Sequence, residues 1–444
     1  MKSNNSFAKN SLITITRQFL SILLGMFLLV LLANYLGKTG QGKYTLIILL
    51  PQLLMTFLNM GINTSTIYYV SKDEIDLNSA VKNNLFVGVF LSSIAVIVGI
   101  IITFFFSEQF FEDTSNMLLL ISLIGLPFMF LNIYFQTIFQ GLQQFGIFNT
   151  ILIITQLGTL CFVTLFVVIM EQGLKGAVIS FILGHFITTI SIIYVLYKKY
   201  HFRYKKGILS LVYFKKSVLF GLKAHISNVM SFLNYRVDIL LLGYFINPAA
   251  VGIYVIAVNI GERLSIFAQS LSSVLLPRIA SVNNDIDRNR VTAILTRNFL
   301  VFIVLISLSI FLFADILIDV FFSEDYEESS LLLRWLLPGI AALSVEKLLS
   351  NDIAGRGKPE LNMYVSIFNV LFNIGLNLYM IPTYGVVGAA ASTTLTYLQS
   401  LVIKVFLYKK VTNERYHNFL LIQKKDIYLY TRILKQLKVR LAKS

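Results

Sequence analysis

The 444-residue sequence predicts an all-α polytopic membrane protein, with about twelve transmembrane helices in two six-helix lobes related by a pseudo-two-fold axis along the membrane normal. Three observations carry this. The chain is 56% hydrophobic, 14% aromatic and 13% charged, with a mean hydropathy of +0.76, which is more apolar surface than a water-facing globule can hide. Apolar runs recur along the whole length, and a hydrocarbon core of ~30 Å asks for roughly 20 such residues per helix. The second half of the chain also repeats the motif order of the first.

Bounded by charges, Gly or Pro, the spans fall near residues 11–34, 43–70, 84–106, 116–140, 146–170, 174–197, 217–245, 249–276, 292–321, 330–354, 361–381 and 384–408. The first apolar stretch has a basic flank, but it is too long for a cleavable signal peptide and has no small-residue cleavage site. It therefore reads as a spanning helix. The single cysteine, Cys161, lies in an apolar segment, which excludes a disulfide framework or a Cys-based metal site.

Orientation follows from the distribution of Lys and Arg. Residues 198–216, "KKYHFRYKKGILSLVYFKK", are strongly basic with no acid, and "DIDRNR" (285–290) and "GRGK" (355–358) fall on the same side. "SEQFFEDTSN" (107–116) and "SEDYEESS" (323–330), on the other side, carry acids without Lys or Arg. Both termini are expected to be cytoplasmic. The net charge of +15 is then an orienting charge that meets anionic lipid, not a nucleic-acid footprint. In the tail, Tyr430, Ile433, Leu434, Leu437 and Leu441 recur at helical spacing between Arg432, Lys435, Lys438 and Arg440, a pattern that suits a helix lying in the interface.

Four matches in order mark an internal duplication. "QGKYTLI" and "VGIYVIA" align Gly42 with Gly252 and Tyr44 with Tyr254; "GLPFMF" and "LLPGIA" align Pro127 with Pro338. "GLKGAVIS" (173–180) and "GVVGAAAS" (385–392) share the spacing GxxGAxxS, and "LYKK" closes both halves. The expected organisation is an N-lobe (1–200), a basic linker (201–216), a C-lobe (217–410) and a basic amphipathic tail (411–444). Because each half has an even number of spans, the repeats are parallel, as in one class of transporters whose substrate site lies between the halves. Pro127 and Pro338 are the expected helix breaks.

No enzyme motif is present: there is no HExxH, GxSxG, Walker A loop or CxxC pair, and His185, His201, His225 and His417 have no ligand-like spacing. Neither a catalytic residue nor a metal site is expected. The candidate functional groups are instead charges inside spans, which are costly unless they face protein or water. In "SFLNYRVDILLLGYF" (231–245), Arg236 and Asp238 stand two residues apart, so they point in different directions on a helix and each needs a partner elsewhere. Span eight offers Glu262 and Arg263 at comparable depth. A Glu262 to Arg236 ion pair would be a structural link between spans seven and eight. The other reading, favoured because buried pairs seldom repay their desolvation, places these charges in a hydrated cavity. Arg17 in span one, Lys223 at the start of span seven, and Glu346 and Lys347 in span ten are further candidates for pairing, coupling or gating. The interiors of the first six spans contain no carboxylate.

Taken together, the twelve spans, "YLGKTGQGKY" after span one, "VDILLLGYF" leading to "VGIYVIA", and the GxxGAxxS pair resemble the Wzx-type oligosaccharide flippases. These form the polysaccharide transporter family of the multidrug/oligosaccharidyl-lipid/polysaccharide exporter superfamily, and the likeness runs to about residue 410. The resemblance implies a V-shaped, two-lobed protein of the bacterial cytoplasmic membrane. It would move undecaprenyl-diphosphate-linked oligosaccharide repeat units by alternating access, for O-antigen, capsule or exopolysaccharide synthesis. Its implied partners are that substrate, membrane lipids, a polysaccharide polymerase and a chain-length regulator. Cavity cations of the family map onto Arg17, Arg236 and Arg263. No cofactor is implied, and coupling to H+ or Na+ is left open. Two alternatives remain: a cation-coupled multidrug exporter of the MATE type, for which Asp238, Glu262 and Glu346 would be the acids, and a non-transporting scaffold for glycan assembly enzymes.

Overall fold

The structure is a computed structural model that describes residues 2–111, 113–281, 284–423 and 426, with backbone alone for 2–19, 269–270 and 272–281. The amphipathic pattern at 430–441 lies outside the described residues. Within them the chain is helical, with no strand: α1 (Lys2–Leu58), α2 (Ile62–Ser71), α3 (Leu77–Phe110), α4 (Asn116–Leu123), α5 (Leu126–Gly141), α6 (Phe145–Val163), α7 (Gly173–Tyr200), α8 (Leu211–Phe245), α9 (Pro248–Ser281), α10 (Asp285–Phe321), α11 (Glu328–Gly355), α12 (Pro359–Thr412) and α13 (Tyr416–Leu420). A π-helical turn, Thr164–Ile169, extends α6.

Eight stretches among the described residues are long and apolar enough to cross a membrane. Two of them are double, because α1 and α12 each pass through one non-helical residue, Gly37 (φ 64°) and Gly385 (φ 62°). Helices α8 (35 residues) and α11 (28 residues) are also long enough to cross but dilute their hydropathy with Lys223, Arg236 and Asp238, and with Arg334, Glu346 and Lys347. Counted so, the described helices supply the twelve expected spans.

Packing divides the chain into two compact units, Met1–Ile256 with Ile318–Ser329, and Ala257–Leu317 with Ser330–Ser444. This division follows spatial contacts, whereas the lobes drawn from sequence follow the duplication, and the two describe different properties of the chain.

In the first unit a buried cluster of Val81, Phe135, Ile138, Phe139, Ile151, Ile192 and Leu196 joins α3, α5, α6 and α7. Polar side chains stitch the same helices: Asn84 donates to Tyr134 O (3.0 Å), and Thr189 donates to Asn132 Oδ1 (2.7 Å). In lipid such bonds replace the hydrophobic driving force that helices would have in water. Glycine permits the tightest approach. A Cβ on Gly42 would stand 1.7 Å from Pro248 O and 2.9 Å from Gly252 N, and a Cβ on Gly252 would stand 2.0 Å from Lys38 O. The two glycines that the duplication aligns therefore face each other.

The second unit contains a helical hairpin. Asn369 Nδ2 donates to Ser400 Oγ (2.8 Å) and Asn373 Nδ2 to Thr396 Oγ1 (3.3 Å). Both pairs are symmetric about the Tyr384–Gly385 bond, so the two arms of α12 run antiparallel from that point. Asn377 extends the polar row by donating to Asn373 Oδ1 (3.0 Å). The first unit has a counterpart hairpin, in which Thr188 donates to Thr155 Oγ1 (2.9 Å) across α6 and α7, centred beside Gly173 (φ 53°). Gly173 and Gly385, the leading glycines of the two GxxGAxxS motifs, are thus both turn positions with a positive φ.

The two aligned prolines behave differently. Pro127 lies in the first turn of α5, after a tight turn in which Gly125 N donates to Ser122 O (3.0 Å), and there its missing N–H costs nothing. Pro338 is not a break, contrary to the sequence expectation: α11 runs through it. Thr394 Oγ1 donates to Trp335 O (2.6 Å) beside it, and a close neighbouring helix supplying hydroxyls is what lets a membrane helix keep an internal proline.

Candidate functional site

The charges singled out by sequence fall into two sets, one in each unit. In the first unit, α8 carries Arg236 and Asp238. Asp238 is buried and accepts hydrogen bonds from the Tyr254 hydroxyl on α9 and from Ile239 N (2.8 Å). A phenol thus stabilises this carboxylate without a formal charge. Arg236 is half-buried, and its Nη1 donates to Tyr235 O (3.1 Å). Lys223, nearer the start of α8, is exposed. His225, two residues along, contacts Phe57 O through Nε2 (3.1 Å), tying α8 to α1. Arg17 lies on α1, where the backbone alone is described.

In the second unit, Glu346 and Lys347 on α11 meet a lysine that sequence reasoning missed. Lys404, on the second arm of α12, is buried, with Nζ 3.6 Å from Glu346 Oε1, and it also donates to Asn362 Oδ1 on the first arm. Ser350 Oγ donates to the same Glu346 oxygen (2.7 Å). Lys347 lies within electrostatic reach of Glu262 on α9 and of Glu346. Glu262 and Arg263 are both half-buried. Structure therefore brings Glu262, Glu346, Lys347 and Lys404 into one charged cluster joining α9, α11 and α12. The signal for Lys404 was present in "LVIKVFLYKK", an ammonium inside an apolar run, but its nearness to Lys409 and Lys410 made it look like part of the basic helix end.

A second polar network closes the same unit at one end. Asp352, fully buried, accepts from Thr292 Oγ1 (2.5 Å) and Arg356 Nε (2.5 Å). Arg356 Nη2 also donates to Asn289 Oδ1 (2.7 Å). Beyond α13, Asp426 pairs with Arg297 Nε (2.6 Å). These bonds bind α10, α11 and the segment after α12 together. No group of His, Cys, Asp and Glu among the described residues has the arrangement of a metal site.

Among the described residues the candidate groups are thus cations and carboxylates on long helices, in two sets, one in each unit. Arginines can hold anionic groups through bidentate, charge-assisted hydrogen bonds.

Comparison with known proteins adds the family context. The family model described as "Polysaccharide biosynthesis protein" matches residues 7–283, and the model described as MatE matches residues 224–379. A Shigella flexneri protein named "Putative O-antigen transporter" is 22% identical over 430 residues, covering 91% of this chain and 98% of its own length. The solved structure of the lipid II flippase MurJ in an inward closed conformation aligns with a TM-score of 0.74 at 18% identity, covering 90% of this chain and 87% of that one. An inward-facing multidrug resistance MATE family transporter of the MOP superfamily aligns with a TM-score of 0.73 at 12% identity, covering 91% and 98%. At those identities the structural likeness establishes the fold.

Proposed function

Since the chain belongs to the polysaccharide biosynthesis protein family, whose model spans residues 7–283, we propose that it is a flippase for a lipid-linked oligosaccharide. The observation that carries this reading is the placement of half-buried arginines, Arg236 and Arg263, on the long helices α8 and α9 of such a chain, with Arg17 on α1 as a further candidate. A diphosphate headgroup crossing a low-dielectric medium needs fixed positive charge along its route, and a guanidinium grips it with a planar fork. The lipid tail stays in the bilayer while the glycan crosses through a polar cavity by alternating access. The flippase and O-antigen transporter names among relatives and fold neighbours support the same reading. In full it places an undecaprenyl-diphosphate-linked repeat unit as substrate and the bacterial cytoplasmic membrane as location, with both termini inside. A polymerase and a chain-length regulator act downstream, and no cofactor takes part beyond a coupling ion, H+ or Na+.

The test compares lipid-linked glycans on the two leaflets in cells with and without the gene. Accumulation of one intermediate on the cytoplasmic leaflet on deletion supports the reading; unchanged distribution and unchanged surface glycan sink it. In the complemented strain, Arg236→Gln and Arg263→Gln abolish glycan export at normal protein abundance, and Lys at either position restores it only in part.

A second reading, a cation-coupled multidrug exporter of the MATE type, is favoured by the MatE match, which covers Asp238, Glu262 and Glu346. Increased drug sensitivity on deletion, with surface glycan intact, would select it.

A further inference from the structure

Residues 203–210 are fastened to the first two turns of α3. Asn78 Oδ1 accepts from Arg203 N (2.8 Å) and Ser79 Oγ from Ile208 N (2.9 Å). Asn83 closes both sides of Ile208 and Leu209, donating to Ile208 O (2.7 Å) and accepting from Ser210 N (3.0 Å). Lys82 Nζ donates to Gly207 O (3.0 Å) and lies 4.7 Å from the centre of the Tyr204 ring. Gly207 sits so close to α3 that a Cβ there would stand 2.4 Å from Asn78 O. The basic segment is therefore a fixed platform, with Arg203, Lys205 and Lys206 exposed on it and Lys215 and Lys216 exposed on the first turns of α8.

Beside this platform lies a groove of about 280 Å³ between α3 and α8, lined by Asn83, Phe86, Phe90, Leu209, Leu211 and Phe214 among others. The polar groups of its one amide, Asn83, are already bonded, so the groove offers apolar walls only. It opens on the exposed face of α3 marked by Phe86, Phe90, Ile97, Ile101 and Phe104, a stripe at helical spacing whose natural solvent is acyl chain. Of the acids preceding α3, Asp76 is engaged as its N-cap through Ser79 N (3.0 Å), and residues 198–216 contain none.

We propose that this groove and platform form a binding site for an anionic phospholipid of the surrounding membrane. One acyl chain lies between Phe86, Phe90 and Phe214, and the phosphate meets Lys205, Lys206, Lys215 and Lys216. The occupant is a bilayer lipid because an apolar slot with a cationic rim and no carboxylate complements a chain with an anionic head. An uncharged lipid would leave the rim unmatched, and a free anion would leave the slot empty. The site is independent of which substrate the protein moves.

Trp335 is the single tryptophan, so a Trp335→Phe, Phe214→Trp protein carries one fluorophore in the groove. It is reconstituted with phosphatidylglycerol or phosphatidylcholine brominated on the acyl chains, and quenching is followed against lipid fraction. Phosphatidylglycerol half-saturates quenching at a fraction about tenfold lower than phosphatidylcholine, since each Lys near a surface adds appreciable attraction for anionic lipid. Replacing Lys205, Lys206, Lys215 and Lys216 together by Gln removes the preference. Replacing the exposed Lys358, Lys409, Lys410 and Arg415 by Gln leaves it. Equal quenching by the two lipids overturns the site, as does equal loss in both quadruple variants, which would mean diffuse attraction only. Displacement of the brominated lipid by a polyprenyl diphosphate but not by unlabelled phosphatidylglycerol would assign the groove to the transported lipid and overturn the proposal too. Unchanged gel-filtration elution of each variant shows that the lysine replacements have not unfolded it.

Discussion

Gly42 and Gly252 pack backbone to backbone, with the place of each Cβ occupied by the partner segment: Pro248 O lies 1.7 Å from one and Lys38 O 2.0 Å from the other. The positions are equivalent in the duplicated sequence, so one close approach constrains both copies of the motif.

The first prediction tests that approach. Gly42→Ala and Gly252→Ala each force the helices apart, because the obstructing atoms are backbone and cannot rotate away. Overpacking of this kind costs about 1–3 kcal/mol or more. The yield of monodisperse, detergent-extracted protein is expected to fall for each variant, and for Gly42→Leu further still. Gly173→Ala is strained by its positive φ but meets no atom within 4 Å, so it costs less. Equal yields for all four would show that the helices are not in this contact.

The charged cluster of the second unit gives the next. Removing one member of a buried pair leaves the other uncompensated and costs about 3–5 kcal/mol, whereas replacing both with apolar or neutral groups is often near neutral. Lys404→Met and Glu346→Gln are each expected to lower the melting temperature in detergent, and the double variant to recover most of the loss. Additive losses would mean that the two groups are not coupled, despite lying 3.6 Å apart.

Topology supplies a third. In a Cys161→Ala background, Lys205→Cys is labelled by an impermeant thiol reagent only from the cytoplasmic side and Asp325→Cys only from the opposite side, because translocation of short basic loops is disfavoured. Labelling of both from one side would refute the alternation of basic and acidic ends from which the orientation is derived.

Much of the architecture was legible because lipid imposes simple rules. Every span must be helical and about 20 residues long, so counting apolar runs located the spans. The GxxGAxxS pair pointed to equivalent positions, and Gly173 and Gly385 both have a positive φ. What sequence did not show is how little chain separates some spans. A single glycine, Gly37, divides the arms of α1, where a connection over 35–42 was expected, and Gly385 divides the arms of α12, where the expected gap was already as short as 382–383. Pro338 was misread for a related reason: the proline is visible in sequence, but the Thr394 hydroxyl beside it arrives from a distant part of the chain. At Asp238 charged residues were the expected partners, and a neutral phenol, that of Tyr254, is among the groups that bond it. Lys404 was passed over because burial inside a hairpin and snorkelling at a helix end look alike in one dimension.

The hairpin of α12 has a further consequence for how the protein is made. Its arms are joined through Asn369, Asn373, Ser400 and Thr396, all within 54 consecutive residues. Such a segment can form these two bonds as soon as both arms have left the translocon, without waiting for any other helix. The polar groups that would delay its release into lipid are thus the groups that let it enter as a preassembled pair. Biogenesis of this part of the second unit should depend on the spacing about Gly385 more than on the presence of the helices it later packs against.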